Sequence, residues 1–178
     1  LTYGYFNYKH PDIKRLDITL DKPHQGNPMK VVAISDVHLG NGTRKPQLKK
    51  FVEMINAEAP DLIVIGGDLI DNSLLPLYQQ KMQEELKQLK APMGIYMAPG
   101  NHEYISGIEE CKTFLKDTPI RLLHDSIVTL PNGLQIIGRD DRSNRRRMPL
   151  AQLMKQTDAT KPTLLIDHQP YEVAKKDS

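Results

Sequence analysis

Four places in the chain set metal-capable side chains directly behind a short apolar run. Val31-Val32-Ala33-Ile34 leads into Ser35-Asp36-Val37-His38, and Leu62-Ile63-Val64-Ile65 into Gly66-Gly67-Asp68-Leu69-Ile70-Asp71. Gly94 to Pro99 leads into Gly100-Asn101-His102-Glu103, and Thr163-Leu164-Leu165-Ile166 into Asp167-His168. Ligands in open α/β sheets gather in the crevice outside the carboxyl ends of the strands. The four deliveries therefore read as one site, built around metal.

The residue types define the chemistry. Asp36 and His38, one residue apart behind a strand, let a carboxylate and an imidazole reach one ion. Asp68 follows two glycines that allow a sharp turn, and its two oxygens can bridge two cations. Asn101 offers a neutral amide oxygen and His168 an imidazole nitrogen. Mixed nitrogen and oxygen donors suit Mn, Fe, Zn, Ni or Co better than an all-oxygen Ca or Mg cage. Two such ions about 3.5–4 Å apart hold a bridging water as hydroxide and polarise phosphoryl oxygens during in-line attack. The chain has no nucleophile elbow, no reactive cysteine context and no phosphate-cradling glycine loop, so a metal-held water is the better nucleophile. His102, next to Asn101, is placed to protonate a leaving alkoxide, with Asp71 or Glu103 orienting its ring. Each fragment alone has an ordinary explanation as turn, cap or packed histidine. Their conjunction, in this order and each behind an apolar run, carries the reading.

The elements that position these groups follow from hydrophobic period. Strands are predicted at 31–34, 62–65 and 95–97, with 31–34 apolar on both faces as in a central strand. Helices are predicted at Pro46–Ala59, with Leu48, Phe51, Val52, Ile55 and Ala59 on one face, and at Leu75–Leu89, with Leu75, Tyr78, Met82, Leu86 and Leu89 as its core stripe. Alternating strands and helices imply parallel pairing. A short helix is expected at 108–115. Three short strands follow at 120–123, 127–130 and 134–137, the last two joined by the turn residues Pro131-Asn132-Gly133. They suggest a second sheet beside the first. A short helix at 149–154 and a strand at 163–166 complete the described order. Upstream, 1–10 reads as a packed aromatic arm and 16–20 as a half-exposed strand.

Composition bounds the rest. At 178 residues, 39% hydrophobic and 26% charged, the chain suits one soluble domain with a real core. A net charge of +2 gives no argument for nucleic acid, and a lone Cys111, read as a small packed side chain, excludes an intrachain disulfide scaffold. No stretch approaches the ~20 apolar residues of a membrane span. Arg139-Asp140-Asp141-Arg142 is expected at the site mouth, where an arginine meets substrate phosphate. Thr43–Lys45 is expected to line the approach of substrate. Arg145-Arg146-Arg147 reads as a solvated basic loop, and His10, His24 and His124 lack any partner pattern.

With these motifs in place, the sequence resembles the calcineurin-like metallophosphoesterases, whose signature is Asp-x-His, Gly-Asp-x-x-Asp, Gly-Asn-His-Asp/Glu, a further His, and Gly-His-x-His. Asp36-Val37-His38, Gly67-Asp68-Leu69-Ile70-Asp71, Gly100-Asn101-His102-Glu103 and His168 match the first four. Ile34-Ser35-Asp36-Val37-His38-Leu39-Gly40 and Asp167-His168-Gln169-Pro170 look like the YkuE-type bacterial branch, whose members often carry an N-terminal membrane anchor or export signal. The resemblance implies a four-layer α/β/β/α sandwich in residues 30–178, preceded by an arm and first strand in 1–29. It implies one ion on Asp36, His38 and Asp68, a second on Asp68, Asn101 and His168, and His102 as the acid. It implies a metal-dependent phosphoric ester hydrolase, acting on a diester, a monoester or a lipid-linked pyrophosphate, with a membrane or envelope location. The alternative is a catalytically silent scaffold of the same fold, against which the retained His102 argues. Gly-His-x-His does not follow His168 here. Each ion is then short of one ligand, the second sheet lacks closing strands, and loose metal binding is expected of this stretch.

Overall fold

A computed structural model describes residues 12–20, 22 and 28–171. Strands β1 (Val31–Ile34), β2 (Leu62–Ile65), β3 (Ile95–Met97) and β4 (Ile120–Leu122) pair in that order as one parallel sheet. Strand side chains alternate between faces, and β2 shows what each face does. Ile63 and Ile65 enter a core with the helices, whereas Leu62 and Val64 enter a second core that reaches the other sheet. All four are under a tenth exposed, each worth roughly 1.5–3 kcal/mol of burial. The helical layer is built mainly from α1 (Lys45–Ala57), α2 (Leu75–Gln79), α3 (Gln83–Leu86) and, after α4 (Asn101–Ile105), α5 (Ile108–Leu115). Leu48, Val52, Leu77, Met82, Leu86, Phe114 and Leu115 supply its apolar face.

The second sheet contains β5 (Ser126–Thr129), β6 (Gln135–Gly138) and β7 (Thr163–Ile166), with β5–β6 antiparallel and β6–β7 parallel. The hairpin turns where expected: Leu130 N–H donates to Leu134 O at 2.8 Å, and Gly133 has φ +88°. Leu130, Leu134, Ile136 and Ile166 pack against Leu62, Val64 and Tyr96 of the first sheet. Ile137, on the opposite face of β6, is also fully buried, as is Leu153 of α6 (Leu150–Met154). A covering layer therefore lies on that side, giving the α/β/β/α sandwich. Gly138, at the end of β6, packs so closely on Leu123, just past β4, that a Cβ would collide with the Leu123 side chain.

Several expectations change. Among the described residues β1 stands at the edge of its sheet, not at the centre: Ala33 is exposed and its neighbours half-buried, so its apolar character on both faces does not give its place in the sheet. Residues 16–20 form no strand. Leu16 and Ile18 are 81% and 73% exposed, and the arm is tied down by Arg15 on Glu58 at 2.9 Å rather than by ladder bonds. The arm at 1–10 lies outside the described residues. The helix expected over 75–89 breaks at Lys81, whose φ of 52° is left-handed, and Met82 N–H reaches back to Leu77 O. The break buries Met82, Leu86 and Leu89 but leaves Leu75 and Tyr78 in solvent. α1 ends at Ala57, with Ala59 also left-handed. Cys111 is fully buried as expected, and burial pushes its thiol up to about 11, so it is unreactive. Among the described residues no helix is long and apolar enough to cross a membrane.

Candidate metal centre

Because β1, β2 and β3 are parallel, their C-terminal ends open on the same side. The loop after β1 carries Asp36 and His38, the loop after β2 carries Asp68 and Asp71, and β3 leads into α4, which starts at Asn101. The first two loops are zipped together. Asp36 N–H donates to Gly67 O at 3.1 Å, His38 N–H to Asp68 O at 3.0 Å, and Asp71 N–H to Leu39 O at 3.0 Å. Asp36, His38 and Asp68 all take left-handed backbone, with φ of 55°, 48° and 50°. Each such non-glycine residue costs roughly 1 kcal/mol, and three together in one loop pair mark a backbone held for geometry rather than stability. Gly67 has φ +95°, and a Cβ there would stand 2.7 Å from Gly100 N and 2.9 Å from His168 Nδ1. Only glycine lets these chains meet so closely.

Glu103 makes the strain tenable. Its fully buried carboxylate accepts the N–H groups of Asp68 at 2.9 Å, Ile70 at 3.0 Å and Gly100 at 2.8 Å. Burial pushes its carboxyl up, and the three amides pull the other way. Glu103 thus grips the backbone around Asp68 and does not orient His102. Asp71 faces His102 instead: its Oδ1 lies 3.1 Å from His102 Nδ1 and 3.5 Å from His38 Nδ1. The His102 contact is off the line of a hydrogen bond, so that buried nitrogen has no hydrogen-bond partner. The His38 and His102 rings meet edge to face, centroids 4.4 Å apart.

Asp68 is the hub. Its Oδ1 accepts the His102 backbone N–H at 2.9 Å. Its Oδ2 faces His38 Nε2 at 3.8 Å on one side and His168 Nε2 at 3.4 Å on the other. His168 Nδ1 lies 2.8 Å from the Gly66 carbonyl, which can only accept, so Nδ1 donates there and Nε2 is the ring nitrogen turned toward Asp68. Ser35 donates its hydroxyl to Asp36. Asn101 joins from α4, with its Oδ1 3.3 Å from Gln169 Nε2. Sequence reasoning missed Gln169 and Ser35, which flank candidate ligands and carry no metal-ligand signature of their own.

The donor set fits divalent cations. His38, Asp68 and His102 present donor atoms within 4.8 Å of one another, and so do Asp36, Asp68 and His168. Among the described residues no lysine or arginine pairs with Asp36, Asp68 or Asp71; their charged contacts are histidines. A carboxylate as buried as Asp68, 3% exposed, needs positive charge nearby.

Other sequence expectations resolve differently. Thr43 is buried and donates its hydroxyl to Val37 O, while Lys45 is engaged by Glu84, so neither lines an open approach. Arg139, Asp140 and Asp141 are 1% exposed or less and form an internal polar hub, not a site mouth. Arg142 alone of that run is exposed, and it stacks over Tyr171 at 4.6 Å. His124, read as partnerless, lies 3.0 Å from Asp140 Oδ2, which also accepts from Asn144 Nδ2 at 2.6 Å and from the Tyr104 hydroxyl at 2.8 Å.

Burial raises the Asp140 carboxyl, but the bonds from His124, Tyr104 and Asn144 outweigh it and hold the carboxyl below its ordinary value. A depressed carboxyl contributes stability above its unfolded value and loses it as pH falls through the folded one. The melting temperature is therefore expected to fall as the medium is acidified below about pH 4. Asp140→Asn is expected to start lower and to flatten that acid limb; an unchanged limb in the variant would place the acid sensitivity elsewhere.

Comparison with known proteins identifies the family. The family model described as calcineurin-like phosphoesterase matches residues 29–177. An uncharacterized metallophosphoesterase of Helicobacter pylori strain J99 is 32% identical over 173 residues, covering 95% of this chain and 45% of its own length. The uncharacterized metallophosphoesterase YkuE of Bacillus subtilis is 36% identical over 106 residues, 57% of this chain and 37% of its own. A zebrafish (Danio rerio) transmembrane protein with metallophosphoesterase domain is 29% identical, covering 95% of this chain and 42% of its own length. The chain thus spans less than half the length of these relatives. With the motifs, the two-sheet sandwich and the family match in agreement, the chain belongs to the calcineurin-like phosphoesterase family.

Proposed function

We propose that this chain hydrolyses phosphoric esters at a dinuclear centre, in which two divalent ions activate water and polarise the phosphoryl group. Asp36, His38, Asp68, Asn101 and His168 would hold the ions, with Asp68 shared. The observation that carries the reading is Asp68 Oδ2 lying between two imidazole Nε2 atoms, with no lysine or arginine beside it among the described residues. Asp71 turns toward Nδ1 of His102, which leaves Nε2 as the ring atom able to carry a proton to the leaving oxygen. Glu103 holds the Asp68 backbone and so fixes where the shared carboxylate stands.

Manganese is the first metal to test, since the nitrogen and oxygen donor mix suits it. The zebrafish relative is named a transmembrane protein, and that name supports a membrane setting for the whole protein. Turnover of a nitrophenyl phosphodiester and of the matching monoester, each with Mn2+ and with chelator, tests the reading. Manganese-dependent release of nitrophenol from either is expected. Silence from the full natural chain, loaded with metal, across a broad phosphoester panel would favour the scaffold.

A further inference from the structure

His168 reaches the centre from the second sheet, whereas Asp36, His38, Asp68 and Asn101 come from the first. Something must hold it in register. We propose that the buried Arg139–Asp167 ion pair is the positioning device that seats His168 against the shared Asp68, an inference that rests on the metal reading above.

The hold is built on the residue before His168. Strands β6 and β7 run in parallel register to Gly138 and Ile166, and Arg139 N–H extends the ladder by donating to Ile166 O at 2.9 Å. Immediately beyond, Arg139 Nη1 meets Asp167 Oδ2 at 3.1 Å, with side chains 1% and 2% exposed. Arg139 Nε also reaches Met148 O at 3.4 Å. Asp167 Oδ1 lies 3.6 Å from Arg147 Nη1 and accepts the Gln169 N–H at 3.1 Å. That last bond closes a turn across His168, because Asp and its own backbone two residues on form such turns readily. The turn sends the imidazole to Gly66 O at 2.8 Å and to Asp68 Oδ2 at 3.4 Å, while Gln169 Nε2 reaches Asn101 Oδ1. Both Asp167 oxygens are thus engaged, one anchoring β6 and one shaping the ligand turn.

Stability alone does not explain such a pair. Buried ion pairs are often matched or exceeded in stability by apolar residues of similar volume. Apolar residues would fill the space, but they have no oxygen to close the turn at Gln169. Arg139 and Asp167 are therefore positioning residues for His168, not catalytic ones.

The test is a double-mutant cycle read as Mn2+ affinity by titration calorimetry, with melting temperature as the check on folding. Outer partners of metal ligands typically cost about 10- to 100-fold in affinity when removed. Asp167→Asn keeps an oxygen for the Gln169 N–H but loses the charge that anchors Arg139, and is expected to weaken Mn2+ binding by about that factor, with His168→Ala weakening it as much or more. In the His168→Ala background, Asp167→Asn is expected to add no further loss. Nitrogen NMR of the His168 ring is expected to show the Nδ1–H form in the parent chain and a mixture of tautomers in Asp167→Asn. If Asp167→Asn does not fold, Arg139→Met together with Asp167→Leu removes both members of the pair while Arg147 keeps its bond to the Asp140 carbonyl at 3.2 Å, and the same loss is expected of it. Full affinity in the variants, or an undiminished loss when His168 is already alanine, overturns the positioning role while leaving the metal reading intact. Unchanged affinity in His168→Ala overturns the metal reading and this proposal with it.

Discussion

Asp68→Asn is expected to abolish manganese-dependent turnover and the manganese-induced rise in melting temperature together. Asparagine keeps the shape and keeps an oxygen to accept the His102 backbone N–H, and the Glu103 bonds to the Asp68 and Ile70 amides are untouched, so the loop after β2 retains its ties. What changes is Oδ2, the atom between His38 Nε2 and His168 Nε2. An amide NH2 there places donors where a shared anionic ligand is needed. Removing an outer partner alone costs about 10- to 100-fold in metal affinity, and this ligand is shared by both proposed ions, so a larger loss is expected. A ligand at 100 times its dissociation constant raises stability by about 2.7 kcal/mol, which gives a melting shift large enough to follow. Without metal, the variant is expected to melt no lower than the parent. The substitution removes one of the carboxylates whose charged contacts, among the described residues, are histidines alone. A manganese-induced shift of unchanged size in Asp68→Asn would show that the cation sits elsewhere.

The site was more legible in the sequence than the sheet that carries it. Apolar runs ending in Asp, His or Asn single out the candidate ligands because strand ends and ligand types are both local facts. Which strand stands at an edge is not local: β1 and β2 read alike, yet Ala33 is exposed where Val64 is buried. Nor does the run at 163–166 announce that it joins the second sheet and brings His168 across to the first. Arg139-Asp140-Asp141 looked like an exposed charged loop because three successive charges rarely go inside. They are inside because Asp167, His124, Tyr104 and Asn144 await them. Pairing at long sequence separation has no periodic signature. Of the two carboxylates, Asp71 and Glu103, that the sequence offers for orienting His102, Asp71 faces the ring and Glu103 takes three backbone amides, a choice no local pattern makes.

His102→Ala should separate chemistry from metal binding, which Asp68→Asn cannot do. As a general acid His102 contributes about 10²- to 10⁴-fold, but only where the leaving oxygen is basic enough to need a proton. The expected result is therefore uneven: a large fall in kcat for an alkyl phosphoester and a small one for a nitrophenyl ester, whose leaving group departs unaided. Manganese affinity is expected to hold, because the Asp36, Asp68 and His168 donors and the His38 ring all remain. The geometry makes this a sharp distinction, since His102 also falls within ligand range of His38 and Asp68. If it binds an ion, affinity drops and both esters slow equally. Asp71→Asn extends the argument. Its Oδ1 touches Nδ1 of both histidines, at 3.1 Å for His102 and 3.5 Å for His38. A loss biased toward the alkyl ester assigns Asp71 chiefly to the acid, whereas an equal loss on both esters with weaker metal binding assigns it chiefly to His38.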